Sequence, residues 1–259
     1  MSATQPLLSV RNLTHTWDGV HGCRDIDFDL FSGEVLCVVG ESGSGKSTLL
    51  QAVSYQVTPK LGSVWYDTRD AGFTDLAQLT AAERRMLART DWGFVRQNAR
   101  DGLRMQVSAG ANIAERLMAI GDRHYGDLRA VAGEWLSKME IEADRLDDTP
   151  QQFSGGMQQR LQIARNLVTR PRMVFMDEPT ASLDVSVQAR LLDLLRQLVT
   201  DLDLAAIVVT HDLAVARLLA HRTVVMRGGY IVESGLTDQI LDDPQHPYTQ
   251  LLVSSILQS

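Results

Sequence analysis

The sequence predicts an α/β protein built around a parallel core sheet. Short apolar runs alternate along the chain with stretches of helical spacing, as in folds where strands and helices follow one another. One apolar run leads into a glycine-rich loop, and another ends in two acidic residues. With 259 residues, of which 44% are hydrophobic and 22% are charged, the chain can bury a large core.

The composition excludes several classes of protein. No apolar run approaches the roughly 18 residues of a membrane-spanning helix, so we expect no direct membrane insertion. Residues 1–10 lack the pattern of a secretory signal. The net charge of −7 argues against direct nucleic-acid binding. The only cysteines, Cys23 and Cys37, argue against a disulfide framework and favour a reducing, cytoplasmic location.

The amino-terminal part predicts strands and then a helix. Polar and apolar positions alternate in Leu8–Leu13 and Ile26–Leu30, which indicates short antiparallel strands. Glu34–Val39 is nearly all apolar, which is typical of a strand that is covered on both faces. The glycine-rich loop Gly40–Gly45 separates this strand from a predicted helix, Ser47–Val53.

The middle of the chain, about residues 75–148, predicts a mostly helical lobe, because its apolar residues recur at helical spacing. We expect this lobe to be inserted into a single domain of residues 6–256, whose other parts, 1–74 and 149–259, carry an antiparallel β subdomain and the core sheet. Downstream we predict helices at Met157–Val168, Val187–Val199 and Pro247–Leu257, strands at Met173–Met176 and Ala205–Val209, and a hairpin at Thr223–Val232.

Residues 40–47 match the pattern GxxxxGK[ST] in full. Glycines let backbone N–H groups turn toward a phosphate, and a helix beginning at Lys46 directs its positive end to the same place. Lys46 can bridge the β- and γ-phosphates, the Ser47 hydroxyl suits Mg²⁺, and Thr48 can contact the α-phosphate. The alternative is a glycine-rich turn without a ligand. The predicted nucleotide-binding residues are Gly40, Glu41, Ser42, Gly43, Ser44, Gly45, Lys46, Ser47 and Thr48.

An acidic pair, Asp177 and Glu178, follows the predicted strand Met173–Met176. Because parallel sheets keep their ligands at the carboxyl ends of the strands, this pair is expected beside the glycine-rich loop. Asp177 can hold Mg²⁺, and Glu178 can polarise an attacking water. The alternative is an ordinary pair of acids at the end of a strand.

A second anion site is predicted at Ser154-Gly155-Gly156, which precedes a predicted helix. Ser154 suits the N-cap, and the two glycines expose backbone N–H groups at the positive end of the helix. The alternative is a flexible cap without a ligand.

Phe153–Arg160 resembles the signature sequence of the ATP-binding cassette (ABC) ATPases. The preferred family form is LSGGQ; here Phe153 replaces leucine, and Met157 occupies the glutamine position. The resemblance covers about residues 7–257 and implies an ABC-type P-loop nucleotide-binding domain with a RecA-like core sheet, an antiparallel β subdomain and an inserted helical lobe. Other motif positions follow in family order: Trp17 for adenine stacking, Gln97 of the Q-loop, Asp184 of the D-loop and the switch histidine His211.

The resemblance also implies a mechanism that uses ATP and Mg²⁺. Two cassettes, as a homodimer or a cassette heterodimer, pack head to tail around two ATP molecules. Each ATP lies between the Gly40–Thr48 loop of one chain and Ser154, Gly155 and Gly156 of the other, near Asp184. The implied catalytic residues are Lys46, Gln97, Glu178 and His211, and the implied metal ligands are Ser47, Gln97 and Asp177. The other histidines, which lack such a context, are interpreted as structural: His15, His21, His124, His221 and His246.

Two functions remain open within this family. Residues 243–252 resemble the ending of peptide- and nickel-type importer ATPases, although those cassettes usually continue with a cysteine cluster and this chain ends at Ser259. Five stretches resemble cassette subunits of bacterial carbon–phosphorus lyase systems, which break down organophosphonates: residues 96–104, 107–110, 124–129, 153–168 and 185–196. We prefer the second function, with the lyase core subunits as partners. A cassette for nucleic-acid repair or translation fits less well, because the chain has no coiled-coil insertion and no second cassette.

One basic segment stands out in this acidic chain. Residues 83–104 contain six arginines against three acids. This segment could be a solvated helical face or a docking surface for the lyase core. Arginine suits interfaces, because its planar guanidinium pairs with carboxylates and stacks on aromatic rings.

Overall fold

Two β-sheets organise the computed structural model, which describes residues 5–256. In these residues the strands are β1 (Leu8–Thr16), β2 (Gly22–Leu30), β3 (Val35–Val39), β4 (Leu61–Thr68), β5 (Gly72–Asp75), β6 (Trp92–Val95), β7 (Met173–Asp177), β8 (Ala205–Thr210), β9 (Arg222–Arg227) and β10 (Tyr230–Leu236). The helices are α1 (Lys46–Val53), α2 (Ala81–Thr90), α3 (Ala109–Ala119), α4 (Tyr125–Lys138), α5 (Gly155–Leu167), α6 (Val185–Asp201), α7 (Leu213–Leu219), α8 (Thr237–Asp242) and α9 (Pro247–Ile256).

The smaller sheet is antiparallel, as predicted, with the order β2-β1-β4-β5. Val10 of β1 pairs with Phe28 of β2, and both side chains are buried. The apolar residues of the alternating pattern therefore face the core. Strands β4 and β5 were not predicted. Only Val64 and Tyr66 of β4 are buried, so the sequence of this strand has too few apolar residues to predict it. Its extended conformation is stabilised by antiparallel pairing with β1.

The larger sheet has six strands in the order β10-β9-β3-β8-β7-β6. Its pairs are parallel from β9 through β3, β8 and β7 to β6, which confirms the predicted parallel core. Every residue of β3 and β8 is buried, as their continuous apolar runs indicate. The carboxyl ends of β3, β6, β7 and β8 therefore meet at one edge of this sheet.

The helical lobe begins later in the chain than predicted. The predicted lobe of about residues 75–148 contains β6, which pairs with β7 in the core sheet. Trp92 lies at the start of this strand, 1% exposed, with ring centroids 5.4 Å from Tyr66 and 5.3 Å from Phe175. Strand β6 has only four residues and lies between helical sequences, so its sequence shows no clear period. The packing of Trp92 against Tyr66 and Phe175 holds this strand in the sheet. The helices of the lobe, α3 and α4, follow from Ala109 and pack against α5.

The carboxyl-terminal hairpin and the last helix agree with the predictions, whereas α7 and α8 were not predicted. β9 and β10 form the antiparallel hairpin, and Gly228 and Gly229 adopt the positive φ angles that its turn requires. Helix α9 begins at Pro247, and the predicted end at Leu257 lies outside the described residues. No helix in residues 5–256 is both long and apolar enough to cross a membrane.

Candidate nucleotide site

The glycine-rich loop connects the buried strand β3 to α1 at the carboxyl edge of the core sheet. Gly45 is the N-cap of α1 with a φ of 102°, and a Cβ there would lie 2.1 Å from the Gly22 carbonyl oxygen. Only glycine fits this position. The helix begins without a side-chain cap, so its first N–H groups point into the loop, where an anion can accept from them.

Lys46, the first residue of α1, turns back over the loop. Its ammonium donates to the carbonyl oxygens of Gly40 at 2.8 Å and Glu41 at 2.9 Å, and the residue is 6% exposed. Burial lowers the pKa of Lys46, while the carboxylates of Glu178, Asp177 and Glu41 act in the opposite direction. A buried cation beside the N–H groups at the start of α1 suits a polyphosphate.

Ser47 and Asp177 provide oxygen donors for a divalent cation. The Ser47 hydroxyl donates to the Asp177 carboxylate at 3.2 Å, which joins the start of α1 to the end of β7. Burial and the neighbouring Glu178 raise the pKa of Asp177, with Ser47 and Lys46 opposing this shift. A hydroxyl and a carboxylate are hard ligands, so this pair fits Mg²⁺, which usually takes one or two protein oxygens and completes its shell with phosphates and water.

Glu178 is held by two hydrogen-bonding partners from the end of β8. His211 Nδ1 lies 2.8 Å from one carboxylate oxygen, and the Thr210 hydroxyl donates to the other at 3.2 Å. Glu178 itself has a φ of 47°, and its N–H donates to the Val209 carbonyl. The acid immediately after a buried strand is thus fixed in position and direction, while the His211 side chain remains 63% exposed.

One cavity of about 680 Å³ brings most of the predicted residues together. Its walls include the groups from the loop, from the Q-loop position and from the ends of β7 and β8: Gly40, Glu41, Ser42, Gly43, Gly45, Lys46, Ser47, Thr48, Gln97, Glu178 and His211. Gln97 also lines a smaller adjoining cavity of about 220 Å³, together with Asp177. A cation, hydroxyl groups, a carboxylate and an imidazole therefore converge at one place, as the predicted nucleotide site requires.

Trp17 lies at the rim of the site and not in the cavity wall. Its indole N–H donates to the Thr48 hydroxyl at 3.1 Å, and its ring packs edge-on against His15 at 4.8 Å between centroids. The side chain is 57% exposed. An exposed aromatic ring beside the loop is placed where it can stack on a base.

Ser154, Gly155, Gly156 and Asp184 lie elsewhere in the same chain. Ser154 is the N-cap of α5 and accepts from Met157 N–H at 3.3 Å, and Asp184 is the N-cap of α6. These residues are not among the cavity-lining residues described, and Ser154, Gly155 and Asp184 are exposed. Within one chain the two predicted anion sites are separate.

The histidines interpreted as structural mostly make backbone contacts. His15 contacts the Thr58 carbonyl, His221 accepts from Val35 N–H, and His246 accepts from Tyr248 N–H. His21 differs, because it lines the main cavity. Hydrogen bonds from His21 hold the pKa of Asp18 well below its usual value.

Sequence reasoning missed two contributions from α9. Leu252 lines the main cavity, and the Tyr248 hydroxyl accepts from Glu41 N–H in the loop at 3.1 Å. The two residues of this hydrogen bond are 207 positions apart in the chain, so no local pattern predicts the contact.

Comparisons with known proteins define the class first. The family model described as "ABC transporter" matches residues 23–181, and the chain belongs to this family of ATP-hydrolysing cassettes. A second model, described as the carboxyl-terminal region of oligopeptide/dipeptide transporters, matches residues 232–259. A dimeric structure of the bacterial ABC transporter cassette MJ0796 superimposes with a TM-score of 0.79 at 29% identity, covering 89% of this chain and 98% of that one.

Two individual members of this family are similar to the chain over nearly its whole length. The ATP-binding protein PhnK of Escherichia coli (strain K12), whose name refers to phosphonate utilization, is 64% identical over 98% of this chain and 99% of its own length. The oligopeptide transport ATP-binding protein OppD of Bacillus subtilis (strain 168) is 35% identical over 96% of this chain and 72% of its own length.

Proposed function

We propose that this chain is the ATP-hydrolysing cassette subunit of a carbon–phosphorus lyase system for organophosphonate breakdown. The observation that carries the ATPase part is the cavity in which Lys46, Ser47, Gln97, Glu178 and His211 converge. The phosphonate part is supported by the 64% identity to PhnK over nearly the whole of both chains.

The binding roles follow from charge and position. Lys46 and the loop N–H groups hold the β- and γ-phosphates, and Thr48 contacts the α-phosphate beside the adenine platform of Trp17. Ser47, Gln97 and Asp177 hold Mg²⁺. When bound, the cation neutralises charge on the phosphate oxygens.

The chemical step belongs to Glu178 and His211. The Glu178 carboxylate orients the attacking water and accepts its proton. His211, with a proton on Nδ1, donates to that carboxylate and keeps it directed at the cavity, while the exposed part of the ring can reach the γ-phosphate. The work is done by positioning and electrostatics, as phosphoryl transfer requires.

The site is completed by a second cassette. Ser154, Gly155 and Asp184 are exposed, and Gly156 is half-buried. None of them is among the residues that line the cavity of their own chain, so they can face the cavity of a partner. MJ0796, a structural relative, is described as a dimer. The partner is a second copy of this chain or a related cassette. ATP bound between the Gly40–Thr48 loop and the partner's turn would draw the two together.

The docking surface for the lyase core is the arginine-rich segment. Two of its three acids are used internally: Glu83 accepts from Thr80 at the start of α2, and buried Asp91 pairs with Arg69 and Arg172. Most of its arginines are exposed. Five arginines and a single acid, Asp101, line a cleft of about 560 Å³ next to the Q-loop; they are Arg84, Arg85, Arg96, Arg116 and Arg165.

A pull-down of purified lyase core tests this surface. Arg85 and Arg100 are exposed and form no ion pair within residues 5–256, so Arg85→Glu with Arg100→Glu should weaken core recovery without disturbing the fold. Arg104 is less suitable, because it pairs with Glu115 at 3.0 Å. The matched control is Arg190→Glu with Arg196→Glu on exposed positions of α6. Equal recovery by both double variants would reject the surface.

The second candidate is the ATPase subunit of a peptide- or nickel-type importer. It is favoured by the match of residues 232–259 to the carboxyl-terminal region of oligopeptide/dipeptide transporters and by the 35% identity to OppD. The two candidates predict different partners. We expect lyase core subunits to co-purify with the chain from a membrane-free extract; a membrane permease recovered from detergent extracts instead would establish the importer function.

A further inference from the structure

Helix α9 lies against the glycine-rich loop, Gly40–Gly45, and one hydrogen bond joins the two. The Tyr248 hydroxyl accepts from Glu41 N–H at 3.1 Å. Tyr248 is 4% exposed, and the guanidinium of Arg227 lies 4.9 Å from the centroid of its ring. The aromatic body is therefore enclosed, and only its polar end reaches the loop.

The partner atom of this bond has a special position. Glu41 N–H and the Gly40 carbonyl belong to the same planar peptide group. The carbonyl accepts from the Lys46 ammonium at 2.8 Å, and the N–H donates to Tyr248. This one peptide is thus held from both of its polar ends, by the phosphate-binding lysine on one side and by α9 on the other.

The rest of the peptide's surroundings leave little freedom. Gly40 has a φ of 151°, and a Cβ there would lie 2.3 Å from the Met226 carbonyl oxygen, so the backbone packs closely against β9. Rotation of the Gly40–Glu41 peptide would break the bond to Tyr248 and remove an acceptor from Lys46. The direction of the lysine and the direction of the peptide are therefore coupled.

Tyr248 is itself anchored to the core sheet. Both Gln245 N–H and His246 N–H donate to the Glu233 carboxylate of β10, at 2.8 Å and 3.1 Å. His246 Nδ1 then accepts from Tyr248 N–H at 3.1 Å. The turn before α9 is therefore fixed to β10. This attachment holds Tyr248 in position beside the glycine-rich loop.

We propose that Tyr248 is a positioning residue of the nucleotide site, which aligns Lys46 for phosphate binding by holding the Gly40–Glu41 peptide. This role rests on the proposed assignment of the loop to ATP. It gives the segment of residues 243–252 a function inside the ATPase site, in addition to any role in joining a partner.

The test is Tyr248→Phe, which removes the hydroxyl and keeps the ring. We expect ATP affinity to fall about three- to tenfold, because one hydrogen bond to the loop is lost. The melting temperature without ATP should change by less than about 3 °C, since the ring remains packed. The control is Tyr230→Phe: Tyr230 lies on β10, is 48% exposed and also has an arginine over its ring, and its variant should bind ATP like the parent chain.

A double-mutant cycle separates positioning from simple packing. If Tyr248 acts through the peptide that Lys46 shares, Tyr248→Phe in a Lys46→Ala background should lower affinity by less than about twofold. A full three- to tenfold loss in that background would make the role purely structural and overturn the proposal. Unchanged affinity of Tyr248→Phe beside a parent that binds ATP would overturn this role alone. A parent chain that fails to bind ATP would overturn the nucleotide site and this role together.

Discussion

Two helix N-termini in this molecule suit anions, and they are built in different ways. At α1 the N-cap is Gly45, in a left-handed conformation and without a side-chain cap, and the next residue, Lys46, is buried among acids. At α5 the N-cap is Ser154, whose hydroxyl already accepts from its own helix, and the turn is exposed.

The difference shows which of the two helix termini has charged side chains around it within one chain. The α1 terminus has the Lys46 cation, the Ser47 hydroxyl and the Glu178–His211 pair around a shared cavity. The α5 terminus has N–H groups and glycines but no charged side chain in its turn. It packs closely against α6, because a Cβ at Gly156 would lie 2.6 Å from Val187. Under the proposed function, the first terminus holds the phosphates of ATP, and the second contacts a nucleotide that is bound to another cassette.

The largest expected effect is a loss of ATP hydrolysis at the α1 site. Glu178→Gln keeps the shape of the side chain and removes the proton acceptor, so hydrolysis should fall by roughly 10²–10⁴-fold. ATP binding should survive, and an ATP-bound dimer should accumulate. Size-exclusion chromatography with Mg-ATP and a phosphate-release assay measure both results. Full turnover in this variant would contradict the role of Glu178.

The next effect is on binding at the same site. Lys46→Ala removes a charge-assisted contact to the phosphates, which is worth about 1.5–3 kcal/mol. ATP affinity should fall roughly ten- to a hundredfold, as measured by calorimetry on the folded variant. A control is Lys60→Ala, since Lys60 lies outside the cavity wall. Unchanged affinity in Lys46→Ala would refute the assignment of the loop.

A third change addresses the α5 site. Ser154→Arg places a bulky cation at an exposed position that is not among the residues lining the cavity of its own chain. In a Glu178→Gln background the ATP-trapped dimer should weaken at least about tenfold, while ATP binding by the monomer changes less than about twofold. Sedimentation with and without Mg-ATP measures this. A dimer that persists at the parent's strength would place the second anion site elsewhere.

The smallest effect concerns the rim of the α1 site. Trp17→Tyr keeps an aromatic face for adenine and loses the indole donor to Thr48, so ATP affinity should change less than about threefold. Trp17→Ala removes the face and should cost more, about five- to tenfold, as loss of base stacking does. Titrations with ATP and with GTP compare the two variants. Equal affinities for the tyrosine and alanine variants would exclude stacking.

The sequence by itself determined the elements whose signal is local. These contiguous patterns are the glycine-rich loop, the acids at the end of β7, the serine cap of α5 and the buried strands β3 and β8. They are local, because a loop that wraps a phosphate or a strand buried on both faces needs particular residues side by side. The family order of these motifs then determined the class of protein.

Only the tertiary structure decided the contacts between distant residues. The sequence does not show that β6 joins the core sheet, that His21 lines the cavity, or that Tyr248 reaches the loop from α9. A four-residue strand has too few positions to display a period, and a single buried tyrosine looks like any core residue. Their roles depend on which surfaces the folded chain brings together, since hydrogen bonds and aromatic packing act through space and not along the sequence.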